Sequence, residues 1–263
     1  MSSEIAAPQA HWPRAVETLN ENGHSPIVLV CEHASNYIPE EYAGLGLDGT
    51  DLARHIAWDI GAADLTRALS RRLDAPAFLG TYSRLLIDLN RPPDVPASMP
   101  VRSEATDIPG NRSVPPNERN RRTQLIFAPF QAAIANHMEQ RRLAARDSIL
   151  FAIHSFTPVY LGERRPWHIG VLFNKATKLS QAIIAGLRAD PTLNVGANVP
   201  YSLSAAEDYA VLVYGDNLDN PAALIEMRHD LISSPEAAER WAERLAAVLS
   251  DAICVLSLGE NPS

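Results

Sequence analysis

The sequence predicts an α/β protein built on a mixed, largely parallel twisted sheet with helices on both faces. Short apolar runs, Ile27 to Val30, Ile149 to Ala152 and Ala222 to Leu224, recur along the chain. Longer stretches with apolar residues at helical spacing separate them, the alternation expected of a sheet of roughly six to eight strands. At 263 residues, 46% apolar and 21% charged, the chain can also bury a large core. Length alone allows one domain or two small ones, and a single domain over residues 1–263 is the expectation.

Residues Met1 to Pro26 are polar and lack the apolar core of a signal peptide. Ile27 to Glu32 reads as the first central strand, because it is apolar, β-branched and followed by a loop with Pro39 and Gly44 to Gly49. From Asp51 to Leu73 the residues Leu52, Ile56, Ile60, Ala63, Leu65 and Leu69 repeat at helical spacing, with Thr50 or Asp51 able to cap. Ala77 to Leu79 and Leu85 to Leu89 read as neighbouring strands, the second alternating around Asp88. Seven of the 20 prolines fall between Asn90 and Asn117, so no regular element fits there. A loop that long inside a compact chain is usually functional, and this one follows a polar strand end.

Glu118 to Arg146 reads as a long helix that Pro129 must kink or split. Ile149 to Ile153 and His168 to Phe173 follow as strands, then Thr177 to Leu187 as a helix. Asp190 to Asn220 shows little pattern beyond a short candidate strand at Tyr209 to Tyr214. Ala222 to Met227 returns to the sheet. Pro235 to Cys254 is an amphipathic closing helix, capped by Ser234 with Pro235 at its first position.

Charge and composition exclude several functions. A net charge of −8 disfavours nucleic acid as a partner, since neutralising its backbone requires a basic face. Two cysteines, Cys31 and Cys254, supply neither a disulfide framework nor a cysteine zinc finger. No stretch approaches the ~20 apolar residues of a membrane span. A soluble, cytoplasmic protein without nucleic-acid or membrane partners is expected.

The polar residues that close the strand runs carry the chemistry. Cys31-Glu32-His33, Ile153-His154-Ser155 and Ile225-Glu226-Met227-Arg228 put histidine, histidine and glutamate at strand ends, where α/β sheets bind ligands. Either histidine alone is more often a satisfied core residue than a ligand. Together they suit catalytic zinc, which takes three His or carboxylate ligands and keeps a fourth position for water. Glu32, Asn36 and Asp59 are the candidates for the third ligand. Glu32 neighbours His33 on a strand and should face the opposite side. Asn36 offers a neutral amide, a weak zinc donor. Asp59 is favoured; it would share a helix face with His55 four residues earlier.

Glu226 interrupts an apolar strand, and a buried unpaired carboxylate is costly. One reading pairs it with Arg228 on the same strand face. The other makes it the general base that takes a proton from the attacking water. Arg84, Asn90 and Arg91 form a further group in which the Arg91 fork suits a carboxylate, implying an anionic substrate.

Taken together, Cys31 to Asn36, His55 to Ala62 with Trp58-Asp59, Ser83-Arg84, Asp88 to Pro92, Ile153 to Phe156, Pro200 to Ser202 and Ile225 to Leu231 resemble the N-formylglutamate amidohydrolase family. Their order also resembles the wider zinc carboxypeptidase and aspartoacylase superfamily. The resemblance implies a phosphorylase/hydrolase-like fold, one zinc ion per chain on His33 and His154, and Glu226 as base. It further implies Arg84 as carbonyl polariser and Asn90 with Arg91 as the clamp for a small anionic N-acyl amino acid. Those relatives carry a glutamate ligand three residues after the first histidine. Asn36 stands there in this chain, which again turns the choice to Asp59. A second substrate carboxylate would need another cation, with Arg102, Arg112 and Arg228 as candidates. The rival functions are a metallocarboxypeptidase and a metal-free protein that binds a small carboxylate.

Overall fold

A computed structural model describes residues 12–204 and 208–258. Residues 1–11 of the polar N-terminal stretch and 205–207 of the weakly patterned one lie outside the described residues. In chain order the elements are β1 (Val16–Leu19), β2 (Ile27–Cys31), α1 (Gly49–Leu52), α2 (Ala62–Leu73) and β3 (Ala77–Gly80). A hairpin of β4 (Arg102–Ser103) and β5 (Thr106–Asp107) precedes α3 (Pro116–Arg122) and α4 (Ala128–Leu143). Next come β6 (Ile149–Phe156), a hairpin of β7 (Val159–Tyr160) and β8 (Glu163–Arg164), β9 (Ile169–Leu172) and α5 (Thr177–Arg188). β10 (Val195–Ala197), β11 (Ala222–Arg228) and α6 (Pro235–Leu258) complete the order.

Seven strands form one sheet in the order β1-β3-β2-β6-β11-β9-β10. Pairs β2/β3, β2/β6, β6/β11 and β9/β10 are parallel, while β1/β3 and β9/β11 are antiparallel, so the sheet is mixed and largely parallel. Alternation along the strands divides the core into two layers. Ile27, Leu29 and Cys31 of β2 pack with α2, α5 and α6. Val28 and Val30 point the other way, toward α4 and the buried segment at 85–89. After β2 the chain turns to β3 on one side, whereas β6 adjoins β11 on the other. The crevice beyond β2 and β6 is thus a topological switch point.

Several segments depart from their sequence pattern. The helix expected over 51–73 is interrupted between residues 53 and 61, and α2 begins at Ala62. Gly61 ends the interruption at φ 79°, and a Cβ there would lie 2.0 Å from the Ile232 carbonyl oxygen, so only glycine fits. Leu85 to Leu89 is buried but is no strand. Its carbonyls accept from side chains: Leu85 from Asn111, Leu86 from Arg122 and Leu89 from Gln131. A buried backbone so satisfied needs no ladder. Pro129 does split its helix, through a π-helical turn at Thr123–Phe127. Proline has no N–H to donate, and the register lengthens by one residue there.

Tyr209 to Tyr214 is no strand either; Val211–Gly215 is π-helical, with Val211 and Tyr214 buried beneath the sheet. A short apolar run does not by itself distinguish the two states. The edge strands β1 and β10 were not expected from the sequence. Among the described residues no helix is long and apolar enough to cross a membrane.

Candidate active site

His33, Asp59 and His154 are buried, and one donor atom from each lies within 4.8 Å of the others, a grouping that can hold a metal ion. Three elements bring them together. His33 follows the end of β2, and His154 lies within β6. Asp59 comes from the turn at 53–61, where its backbone N–H donates to the His33 carbonyl at 2.9 Å. The turn is tied down again by Ser155, whose hydroxyl donates to the Ile60 carbonyl at 2.8 Å. Asp59 therefore does reach the histidines, but from a turn stitched to two strand ends and not from a helix face.

Asp59 Oδ2 lies 3.4 Å from Nδ1 of His33 and 3.1 Å from Nδ1 of His154. Each Nε2 faces a further carboxylate, Asp88 at 2.7 Å for His33 and Glu32 at 2.9 Å for His154. A carboxylate that holds one ring nitrogen fixes the tautomer and leaves the other nitrogen free to coordinate. Glu32 thus stands behind His154 and not beside it. Asn36 is exposed and donates to the Leu52 carbonyl, outside the group.

The electrostatics suit a cation. Burial pushes both imidazoles down, as does Arg84 at His33, yet Asp88 and Asp59 at His33 and Glu32 and Asp59 at His154 outweigh this and raise both. The carboxylates draw protons onto the rings, supplying the positive charge that a bound divalent ion would bring. Two imidazole nitrogens and a carboxylate are also the donor set that catalytic zinc uses, so these residues fit such an ion.

The group opens into a cavity of about 320 Å³. Glu226 lines it from β11, directly across the parallel register from His154. Among the described residues its Oε2 is buried with no hydrogen-bond partner, and burial pushes its carboxyl up to about 7. The suggested ion pair with Arg228 is absent, because Arg228 binds Asp230 at 2.8 Å and does not line the cavity. Arg84 does line it, donating to Asp59 at 3.2 Å and to Asp88 at 2.9 Å.

Asn90 and Arg91 also line the cavity. The Asn90 amide is engaged, its oxygen accepting from the backbone N–H groups of Tyr209 and Ala210. Arg91 reaches Asp88 at 3.5 Å. Of the cations considered for a second carboxylate, Arg102 lines the cavity, while Arg112 pairs with Asp107 elsewhere. The proline-rich loop does cover the site, through Ala97, Pro100, Ser103 and Glu104.

A sequence model of N-formylglutamate amidohydrolases matches residues 25–233, most of the chain and every residue of this group. The chain belongs to the N-formylglutamate amidohydrolase family. As a member of that family it is an amidohydrolase. The structure of a gene product from Agrobacterium tumefaciens is 35% identical, with a TM-score of 0.90 over 93% of this chain and 97% of that one. The structure of an N-formylglutamate amidohydrolase from Ralstonia eutropha is 17% identical, with a TM-score of 0.63 over 93% and 99%, a likeness of fold. No curated protein matches.

The sequence pattern assigns Asp88 no role, although it belongs to the same buried group. Asp88 accepts from His33, Arg84 and the Asn90 backbone, so one carboxylate orients three candidate residues. A signal existed in its spacing, four residues after Arg84 and within an apolar run. The aromatic residues Tyr160 and Tyr201 on the cavity wall were likewise given no role.

Proposed function

We propose that this amidohydrolase cleaves the N-formyl, or a closely related N-acyl, amide of an acidic amino acid such as N-formylglutamate. The products are formate and the free amino acid. One observation carries the reading: the unpartnered Glu226 Oε2 sits across from His154, beside a His-Asp-His donor set, in a cavity of about 320 Å³. That volume is near the lower end for small-molecule sites, which favours a small amide over the extended chain that a carboxypeptidase must seat.

Nδ1 of His33, Nδ1 of His154 and Asp59 Oδ2 would hold one zinc ion per chain. The chemistry zinc supplies in such a set is Lewis-acid activation of water and of the amide oxygen near neutral pH. Asp88 and Glu32, each on an Nε2, would leave the two Nδ1 atoms to such an ion. Glu226 takes a proton from the attacking water at Oε2 and passes it to the departing nitrogen, a role matched by its raised pKa. Arg84 is anchored through Asp59 and Asp88, and its remaining N–H groups meet the charge that develops on the amide oxygen. Arg91 holds the α-carboxylate, and Asn90 positions the backbone at 209–210 along the same wall.

The test is formate release from a panel of N-formyl amino acids, with and without chelator, for the wild type and Glu226→Gln. The variant should lose about 10²–10⁴-fold in kcat while retaining zinc by elemental analysis. Equal rates for the two proteins would remove Glu226 from the mechanism. Full activity after the zinc has been stripped would remove the metal.

A further inference from the structure

A substrate with two carboxylates needs two cationic contacts, and the cations on the cavity wall are largely spoken for. Arg84 spends both terminal nitrogens on Asp59 and Asp88. Arg91 is taken by the α-carboxylate in the reading above, and Arg102 pairs with Asp107 at 3.0 Å. Arg165, which follows β8, differs from all three. Among the described residues it pairs with no carboxylate. Its guanidinium lies 4.5 Å from the ring centre of Tyr160, 4.8 Å from that of Tyr201 and 5.9 Å from that of Phe156, and all three rings line the cavity.

Ring contacts of this kind stabilise a guanidinium without neutralising it. They also leave its in-plane N–H groups for an anion, since stacking uses the faces and hydrogen bonding uses the edge. One edge contact is already made, Nη1 donating to the Tyr201 hydroxyl at 2.9 Å. That hydroxyl belongs to the same wall as Glu226 and Arg84, so the aromatic cradle carries the Arg165 charge to the rim of the catalytic cavity.

We propose that Arg165, cradled by Phe156, Tyr160 and Tyr201, binds the side-chain carboxylate of the N-acyl amino acid and sets the preference for acidic substrates. The proposal rests on the hydrolase reading above and assigns a subsite within it.

Steady-state kinetics on N-formylglutamate and its neutral isostere N-formylglutamine test it, using the zinc-loaded wild type, Arg165→Met and Arg165→Lys. The wild type should prefer the acidic substrate. Arg165→Met should lose on the order of 10–100-fold in kcat/KM for N-formylglutamate, the scale of a lost hydrogen bond to a charged group, and change by less than about threefold for N-formylglutamine. Arg165→Lys keeps the charge and should recover part of the preference. Equal losses on both substrates would mean that Arg165 only supports the fold of the rim, and would overturn the proposal. So would a variant that loses nothing. A wild type that cleaves both substrates equally well overturns the subsite and leaves the hydrolase reading standing. A wild type that releases formate from neither removes both.

Discussion

Asp88 illustrates how much a single buried carboxylate can organise. It is 3% exposed, and burial alone would raise its pKa, yet His33 and Arg84 hold it well below the usual carboxylate range. It stays ionised and holds the proton on His33 Nε2, which would leave Nδ1 as the nitrogen that coordinates once an ion is bound beside Asp59. Asp88→Asn leaves the volume unchanged but weakens this acceptor. The expected result is a 10- to 100-fold loss of zinc affinity, on the order usual for groups behind a metal ligand, with an unchanged circular dichroism spectrum. Competition with a chromogenic chelator measures it, and undiminished affinity would show that His33 orients itself. His33, His154 and Glu226 were legible because polar residues stand out against apolar runs; the strands run on past His154 and Glu226, which lie within β6 and β11. The partners of the two histidines were not, since the contacts span 55 residues for Asp88 and 122 for Glu32.

Among the elements, α4 carries a feature with a measurable consequence far from the cavity. His137 is 6% exposed, packs its ring against Phe78 at 5.2 Å and, among the described residues, leaves Nε2 without a partner. Burial, followed by the nearby Arg141 and Arg146, pushes its pKa down to about 4. The unfolded imidazole titrates near ~6.5, so its contribution is intact above that pH and is lost as the pH falls toward the folded value. His137→Leu should therefore shed on the order of 2 kcal/mol less stability than the wild type between pH 7.5 and pH 4.5. Urea denaturation at the two pH values compares them; identical losses would rule out the histidine as the acid-sensitive group. The same scale explains where pattern reading falls short. Apolar spacing marked 53–61 and 85–89 as buried, which they are, but burial does not specify which partner satisfies the backbone. Asp59 N–H finds the His33 carbonyl, and Asn111, Arg122 and Gln131 supply the donors for 85–89.

Across the whole molecule, the donor set ties together the β2 end, the turn at 53–61 and β6, so an ion bound there braces the centre of the sheet. Binding to the folded chain alone adds about 4 kcal/mol at a ligand concentration near 1,000 Kd. For a chain of this size that corresponds to a rise in Tm of about 8–16 °C when zinc is restored to chelator-treated protein. Magnesium at the same concentration should give little, since it favours all-oxygen sites. An unchanged melting curve with zinc would argue that the group is a hydrogen-bonded core cluster and holds no metal. By itself the sequence determined the α/β class, the strands at the centre of the sheet and the residues with metal-site chemistry, because hydrophobic period and residue type are local properties. Only the tertiary structure decided that Asp59 reaches the histidines from a turn, that Asp88 and Glu32 stand behind them, and that Arg165 rests in an aromatic cradle at the rim. Those outcomes depend on which strands become neighbours and where the chain breaks its own periodicity, and no local pattern encodes either.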